Sequence, residues 1–239
     1  MSKDLILKKQ AFLDKIKKGK AVAKPGKDRL KKAAQKTGKN RLLFSLDATA
    51  SREEAWAVAT QITGTMFDSV PDDIEVALAY HGGNYVQEMT DFSKKPKVFA
   101  DKLHTIKCRA GATDLNGILR RAVDCQGLAC IVYIGDCFEE DQEVAEALAK
   151  QLKLKGVKLF MFHDRSSEKN GFNVDYAAHV FKTLVDITGG AVMDFNAQAP
   201  KKAEELLAAI AVYTVGGQKL LKSQQKRLPA AAKLLKHLD

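Results

Sequence analysis

The chain has 239 residues, is 46% hydrophobic and carries a formal net charge of +10. This length suits one well-buried domain with appendages and is short for two full domains. Because no run of 18 consecutive apolar residues occurs and the first residues lack the apolar stretch of a signal peptide, we expect a soluble, cytoplasmic protein without a membrane span. The four cysteines match no zinc or redox spacing, so reduced and mostly buried thiols are expected.

The positive charge is concentrated at the amino-terminal end. Residues 1–40, the basic arm, hold 13 Lys and one Arg against three Asp, a surplus of +11, and the rest of the chain is nearly neutral. Such an arm can anchor a domain to nucleic acid, anionic lipid or an acidic protein, and it can equally be a solvated, partly disordered extension. The predicted domain therefore starts at residue 41.

From residue 41 onward, short apolar runs alternate with segments of helical periodicity, which predicts an α/β domain with a mostly parallel sheet flanked by helices. The predicted strands cover residues 41–46, 74–80, 85–89, 128–134, 157–162 and 191–195. Gly82 and Gly83 turn the chain between the second and third strands, so the third is expected to be antiparallel and at an edge. The run 128–134 is continuously apolar, as in a central strand buried on both faces.

The predicted helices lie between these strands, around residues 55–66, 98–106, 115–123, 144–152, 176–187 and 203–210. Glu139, Glu140 and Asp141 are expected to open the fourth helix, where acidic side chains complement the helix dipole. The predicted organisation is the basic arm at 1–40, one domain at 41–212 and a helical tail at 213–239. The sequence leaves open whether this tail packs on the domain.

Oxygen-bearing side chains stand where three of these elements meet their loops. Asp47, Thr49 and Ser51 follow the first strand, Thr113 precedes the third predicted helix, and Asp136 follows the central strand. Residues two apart in an extended segment point the same way, so the first three can direct their oxygens into one crevice. In open α/β sheets, ligands gather at the carboxyl ends of the strands, where the connections diverge. This set of hard oxygen donors predicts a site for a Mg²⁺-type ion.

Each of these residues also has a structural alternative. Thr49 or Ser51 can cap the first predicted helix. Thr113 or Asp114 can cap the third, and Asp136 can cap the fourth. Capping and metal binding are compatible, because a cap residue already presents an oxygen at the rim. Taken together, the residues favour metal binding.

The run Asp47-x-Thr49-x-Ser51, with Thr113 in a Gly-Ala-Thr-Asp loop and Asp136 in Gly-Asp, resembles the metal-ion-dependent adhesion site of von Willebrand factor type A domains of the bacterial, intracellular type. The resemblance covers residues 41–212. It implies a doubly wound, Rossmann-like, six-stranded sheet of order 3-2-1-4-5-6 with strand 3 antiparallel at the edge. It also implies Mg²⁺, with Mn²⁺ or Ca²⁺ as alternatives, held by these five side chains partly through water.

Two features depart from the family pattern. Thr49 stands where the family has its first serine, which keeps the oxygen but adds a methyl group. Ala50 replaces a frequent glycine, and Arg52 follows the motif. We expect Arg52 to be a surface-exposed residue at a helix start, with a role in narrowing the choice of ligand as the alternative.

The resemblance implies a protein-interaction module without catalysis, in which an exposed Asp or Glu of a partner completes the coordination of the ion. A metal-dependent hydrolase is the alternative, since Asp47 is similar to the nucleophile of haloacid-dehalogenase-type phosphatases. That family, however, needs a second Asp where Thr49 stands. His163, beside Asp164, offers a general base without a nucleophile paired to it. Binding of nucleic acid or another polyanion through residues 1–40 is the third function considered.

Overall fold

The computed structural model describes residues 40–53, 56, 74–95, 97–171, 173–195, 200–226 and 228–238. The basic arm, apart from its last residue, and most of the first predicted helix lie outside these residues. The strands in the described part are β1 Arg41–Asp47, β2 Glu75–His81, β3 Val86–Met89, β4 Leu128–Gly135, β5 Lys158–Asp164 and β6 Ala191–Phe195. The helices are α1 Lys97–Leu103, α2 Leu115–Asp124, α3 Gln142–Leu154, α4 Val174–Thr188, α5 Pro200–Gln224 and α6 Pro229–Leu235, with short 3₁₀ helices at Ala50–Arg52 and Ser166–Asn170.

The strands form one sheet in the order β3-β2-β1-β4-β5-β6. β3 pairs antiparallel with β2, and every other pair is parallel. This arrangement confirms the predicted doubly wound sheet with an antiparallel edge strand. The strand boundaries differ from the predicted ones by at most two residues.

Side chains that alternate along the strands build a separate core on each face of the sheet. One face packs against α1, α5 and α6, and the other packs against α2, α3 and α4. β4 is buried along its whole length, as its continuous apolar sequence predicts.

The sheet has its switch point between β1 and β4, which are adjacent. The chain leaves β1 toward β2 on one side and leaves β4 toward β5 on the other. Leu46 lies opposite Ile134, so Asp47, which ends β1, and Asp136, which follows β4, stand at neighbouring strand ends. A crevice at the carboxyl ends of diverging strands is where such folds bind ligands.

Asp141 opens α3 as predicted, but Glu139 and Glu140 do not, which corrects that part of the prediction. α3 begins at Gln142 and is capped by Asp141. Glu140 instead accepts the backbone N–H groups of Leu115 and Asn116, at 2.7 and 2.6 Å, at the start of α2. The carboxylate therefore complements the amino-terminal end of a neighbouring helix rather than that of its own.

The described part of the tail packs on the domain. α5 runs across residue 212 and bends at Gly217, whose φ is 59°. Ala231, Leu234 and Leu235 of α6 are buried in the core that α5 and α1 share. Among the described helices, none combines the length and the hydrophobicity needed to span a membrane.

Candidate metal centre

The first three candidate ligands converge at the carboxyl end of β1. Asp47 is fully buried, and its Oδ1 accepts the backbone N–H of Thr49 at 2.9 Å. The hydroxyl oxygens of Thr49 and Ser51 lie 3.0 Å apart. Thr49 precedes the first 3₁₀ helix, but its side chain makes no capping hydrogen bond. The Thr49 side chain therefore contacts Ser51 and does not cap the 3₁₀ helix.

Thr113 is held by the loop that follows β4. Its hydroxyl oxygen accepts the N–H of Glu139 at 3.1 Å, and its own N–H donates to Oε2 of Glu139 at 3.2 Å. Asp114, not Thr113, caps α2 by accepting the N–H of Gly117 at 2.9 Å. The reciprocal pair with Glu139 fixes the buried Thr113 against the segment that begins at Asp136.

Three buried carboxylate oxygens have no hydrogen-bond donor among the described residues. They are Oδ2 of Asp47 and both side-chain oxygens of Asp136. Asp136 does not cap α3, because Asp141 does. Buried carboxylates are ordinarily paired or hydrogen-bonded, since their desolvation is costly without a partner. A bound cation would satisfy such unpartnered oxygens.

The two carboxylates are electrostatically linked. Burial, followed by the negative charge of Asp136, raises the pKa of Asp47 to about 8, and the nearby Arg52 offsets part of this rise. Two carboxylates in one buried site repel each other, so the pair is stabilised by a proton or by a cation between them. A divalent cation would take the place of that proton.

The donor set of the site suits a hard cation. Its two carboxylates and three hydroxyl groups contain only oxygen donors, which Mg²⁺, Mn²⁺ and Ca²⁺ prefer. Nowhere in the described part of the chain do three or more His, Cys, Asp or Glu side chains form a group that could hold a metal. Hydroxyl groups and water would therefore complete the coordination. Together with the unpartnered carboxylate oxygens, this composition fits the ion that the sequence predicts.

Arg52 is buried, which corrects the expectation of an exposed side chain. It is 1% exposed, its guanidinium group pairs with Asp164 at the end of β5, and it lies 5.6 Å from the centre of the Phe195 ring. Burial by itself lowers the pKa of Arg52, but the charges of Asp164, Asp47 and Asp136 outweigh burial and raise it. The partners are 112 residues apart in sequence. The sequence feature that could have indicated the burial of Arg52 is Asp164, an acidic residue at a strand end on the same edge of the sheet.

Two buried histidines brace the site. Nδ1 of His81 accepts the N–H of Asp114 at 3.2 Å, and its Nε2 lies 3.1 Å from the Tyr133 hydroxyl. Nε2 of His163 lies 3.1 Å from the carbonyl oxygen of Asp136. Burial lowers the pKa of both rings, to about 3 for His81. The rings are therefore neutral supports, and no hydrogen bond links either to a serine, threonine or cysteine in the described residues.

Exposed residues beside the site form a platform. Tyr85 is 49% exposed, and its hydroxyl accepts a hydrogen bond from the guanidinium group of Arg109 at 2.9 Å. The N–H of Arg109 donates to the carbonyl of Ala48 at 2.8 Å, which places this Tyr85–Arg109 platform next to the loop after β1. The N–H of Asn84 donates to the carbonyl of Ala112 at 3.0 Å. This hydrogen bond joins the loop that carries Tyr85 to the loop that carries Arg109. No carboxylate of the described residues forms an ion pair with Arg109.

Comparison with known proteins gives structural matches only. No protein-family model and no curated protein matches the chain. A von Willebrand factor type A protein from Catenulispora acidiphila has a TM-score of 0.59 at 11% identity, with 74% of this chain and 43% of that chain covered. The SpRpn10 VWA domain has a TM-score of 0.53 at 13% identity, with 70% of this chain and 94% of that chain covered. The pilus adhesin SpaC from Lactobacillus rhamnosus GG has a TM-score of 0.59 at 10% identity, with 74% of this chain and 30% of that chain covered.

The chain thus spans less than half the length of two of these three structures. At such low identities the similarity bears on the fold alone. The similarity of fold agrees with the strand order and with the single antiparallel edge strand of the described sheet. The chain has the fold of a von Willebrand factor type A domain.

Proposed function

We propose that the chain is a metal-dependent protein-interaction module that binds a carboxylate of a partner protein. The observation that carries this proposal is the group of three buried carboxylate oxygens without donors in the described residues, at the point where β1 and β4 diverge. The residues that would hold Mg²⁺, or alternatively Mn²⁺ or Ca²⁺, are Asp47, Thr49, Ser51, Thr113 and Asp136. The bound ion supplies positive charge and a coordination position that an Asp or Glu of the partner can fill.

The surrounding side chains support binding rather than catalysis. Nε2 of His163 is occupied by a backbone carbonyl, and Asp164 is paired with Arg52. A phosphatase of the haloacid-dehalogenase type would need a carboxylate where Thr49 stands. His163 and Asp164 are thus engaged by other groups, and we propose that the site is not catalytic.

Other features support a proposed cell compartment and a proposed class of partner. All four cysteines are free thiols, which supports a reducing, cytoplasmic location. One structural neighbour is described as a pilus adhesin, which supports a binding role for the fold. We propose a partner protein with an exposed Asp or Glu. Binding of a polyanion through residues 1–40 stays a prediction, because the arm lies outside the described residues.

Calorimetry with acidic peptides tests the proposal. Mg²⁺ and Mn²⁺ are titrated into the purified chain alone and in the presence of short peptides that contain one Asp or Glu. A carboxylate that completes the coordination should tighten metal binding about fivefold or more, and the metal should tighten peptide binding by the same factor. Matched peptides with Asn or Gln have the same size but no anionic oxygen, so they should show no coupling. Equal tightening by acid and amide peptides would contradict the carboxylate mechanism.

The Tyr85–Arg109 platform predicts a second contact with the partner. Arg109 is exposed beside the site and has no acidic partner in the described residues, so a second carboxylate of the ligand can pair with it. Arg109→Gln should weaken metal-dependent binding of a peptide with two carboxylates about three- to tenfold. Binding of a one-carboxylate peptide and of Mg²⁺ alone should not change.

Arg120→Gln, which removes an exposed arginine from the middle of α2, is the matched control for the change in net charge. It should leave the binding of both peptides unchanged. An equal loss for the one- and two-carboxylate peptides in Arg109→Gln would show that the substitution disturbs the loop at Ala48 instead of removing a ligand contact.

A further inference from the structure

The Arg52–Asp164 ion pair is buried directly beside the candidate metal ligands. The two side chains are 1% and 4% exposed. Arg52 follows Ser51, and Asp164 ends β5, so the pair reaches from the loop after β1 past the end of β4. The second oxygen of Asp164 accepts the N–H of Ser166 at 2.8 Å. The carboxylate is therefore fixed in place on the side away from β1.

Stability alone does not account for this pair. Desolvation offsets much of the attraction in a buried ion pair, and apolar residues of similar volume often stabilise a fold as well or better. The charge of Arg52 interacts with Asp47 and Asp136 as well as with Asp164. Its Nε has no acceptor in the described residues. The guanidinium group is thus bonded to one carboxylate and attracted to two others that it does not bond.

With Asp47 and Asp136 both ionised, as metal binding requires, the formal charges of these buried groups add up to −2, from Asp47, Asp136 and Asp164 against Arg52. One divalent cation neutralises this charge. We propose that Arg52 is a built-in competitor of the metal ion and that Asp164 holds it away from the two metal-binding carboxylates. The pair would then set both the affinity of the site and the ionic charge that it prefers. This inference rests on the proposed function, because it requires that the site bind a metal.

Coulomb attraction predicts that removing the charge of Arg52 and removing the charge of Asp164 change the metal affinity in opposite directions. Without the charge of Arg52 the site carries −3, so cations should bind more tightly and trivalent ions should gain most. Without the charge of Asp164 the site carries −1, and the released guanidinium group can turn to Asp47 and Asp136. Cations should then bind more weakly. A pair that only braced the fold would give a different pattern, because every substitution would loosen the ligands and weaken binding.

The test is a set of metal titrations on the full chain. Mg²⁺ and Mn²⁺ affinities are measured by calorimetry for the wild type, Arg52→Gln, Asp164→Asn and the double variant, with folding checked by chemical denaturation. We expect Arg52→Gln to bind at least about tenfold more tightly and Asp164→Asn at least about tenfold more weakly. The double variant restores the charge of −2 and should bind within about threefold of the wild type.

Charge preference supplies a second readout, which a structural role would not change. Tb³⁺ and Ca²⁺ have similar size, and the ratio of their affinities should rise in Arg52→Gln and fall in Asp164→Asn. If Arg52→Gln does not fold, the metal affinities of Asp164→Asn and the double variant still test the proposal. Both of these variants are expected to fold, because neither leaves Asp164 buried as an unpaired charge. Weaker binding in all folded variants with an unchanged Tb³⁺ to Ca²⁺ ratio would overturn the inference. A wild type that binds none of Mg²⁺, Mn²⁺ and Ca²⁺ would overturn the proposed function itself.

Discussion

Asp47→Asn is expected to abolish metal binding while the chain stays folded. The substitution removes the anionic charge of Asp47, whose Oδ2 has no donor in the described residues. An asparagine has nearly the same shape, and its carbonyl oxygen can still accept the N–H of Thr49, which now bonds to Oδ1 at 2.9 Å. Calorimetry with Mg²⁺ and Mn²⁺ should show an affinity loss of about a hundredfold or more. Metal binding that persists in this variant would contradict the role of Asp47 as the principal ligand.

The same substitution should change how stability depends on pH. Burial and the charge of Asp136 raise the pKa of Asp47 from 3.8 to about 8 in the metal-free folded chain. Between these values the folded state keeps a proton that the unfolded state has released, so the free energy of unfolding falls as the pH rises from about 4 to about 8. Asparagine does not titrate and should remove this contribution to the slope. Urea unfolding at several pH values in the presence of a chelator measures how the free energy of unfolding changes with pH. An unchanged slope in Asp47→Asn would contradict the raised pKa of Asp47.

Thr49→Ser is the conservative control for these measurements. It keeps the hydroxyl oxygen, which lies 3.0 Å from that of Ser51, and removes only a methyl group from a residue that is 4% exposed. The metal affinity should stay within about threefold of the wild type, and the loss of a buried methyl group should cost about 1 kcal/mol of stability. A large loss of metal affinity here would show that the methyl group positions the loop.

The sheet could be predicted from the sequence because local patterns determine most of it. β4 is continuously apolar and is buried on both faces, and the Gly82–Gly83 turn leads into the antiparallel edge strand. Once parallel strands are recognised, their carboxyl ends must lie at one edge, so Asp47 and Asp136 could be placed together without coordinates. The candidate site was predictable to the extent that it depends on strand ends.

The parts that were not predicted depend on contacts between distant residues. Arg52 was expected at the surface because a single arginine usually is exposed, and its burial depends on Asp164, 112 residues later. Glu140 was assigned to the helix that follows it, whereas its carboxylate bonds to the start of α2. In both cases a charged side chain near a helix start was given a local role, and the fold supplied a partner from another loop.

These two differences have a common consequence for the site. The loops at the strand ends are joined to one another by side chains: Arg52 connects the loop after β1 to β5, and Glu139 and Glu140 connect the loop after β4 to the start of α2. The candidate ligands are therefore held by a network that spans four segments of the chain. A site held in this way is expected to be sensitive to small displacements of a loop backbone.

Gly82→Ala is expected to weaken metal binding through such a displacement. A Cβ atom at this position would lie 2.5 Å from the carbonyl oxygen of Ala48, which is backbone and cannot rotate away. That carbonyl accepts the N–H of Arg109, so the clash would move the segment between Asp47 and Thr49 and the neighbouring loop together. We expect the Mg²⁺ affinity to fall about tenfold or more, while stability falls by only about 1 to 3 kcal/mol because the shift is confined to the rim.

Gly190→Ala is the matched control, because it places a Cβ atom against a backbone carbonyl at the opposite end of the sheet. Gly190 lies one residue before β6 begins, and the added Cβ would overlap the carbonyl oxygen of Leu159 near the start of β5. This variant should lose about 3 kcal/mol or more of stability, yet its folded fraction should bind Mg²⁺ within about threefold of the wild type. Urea unfolding and calorimetry on both variants separate the two effects. If metal affinity followed stability in both proteins, metal binding would reflect the overall integrity of the fold and not the position of the loop after β1.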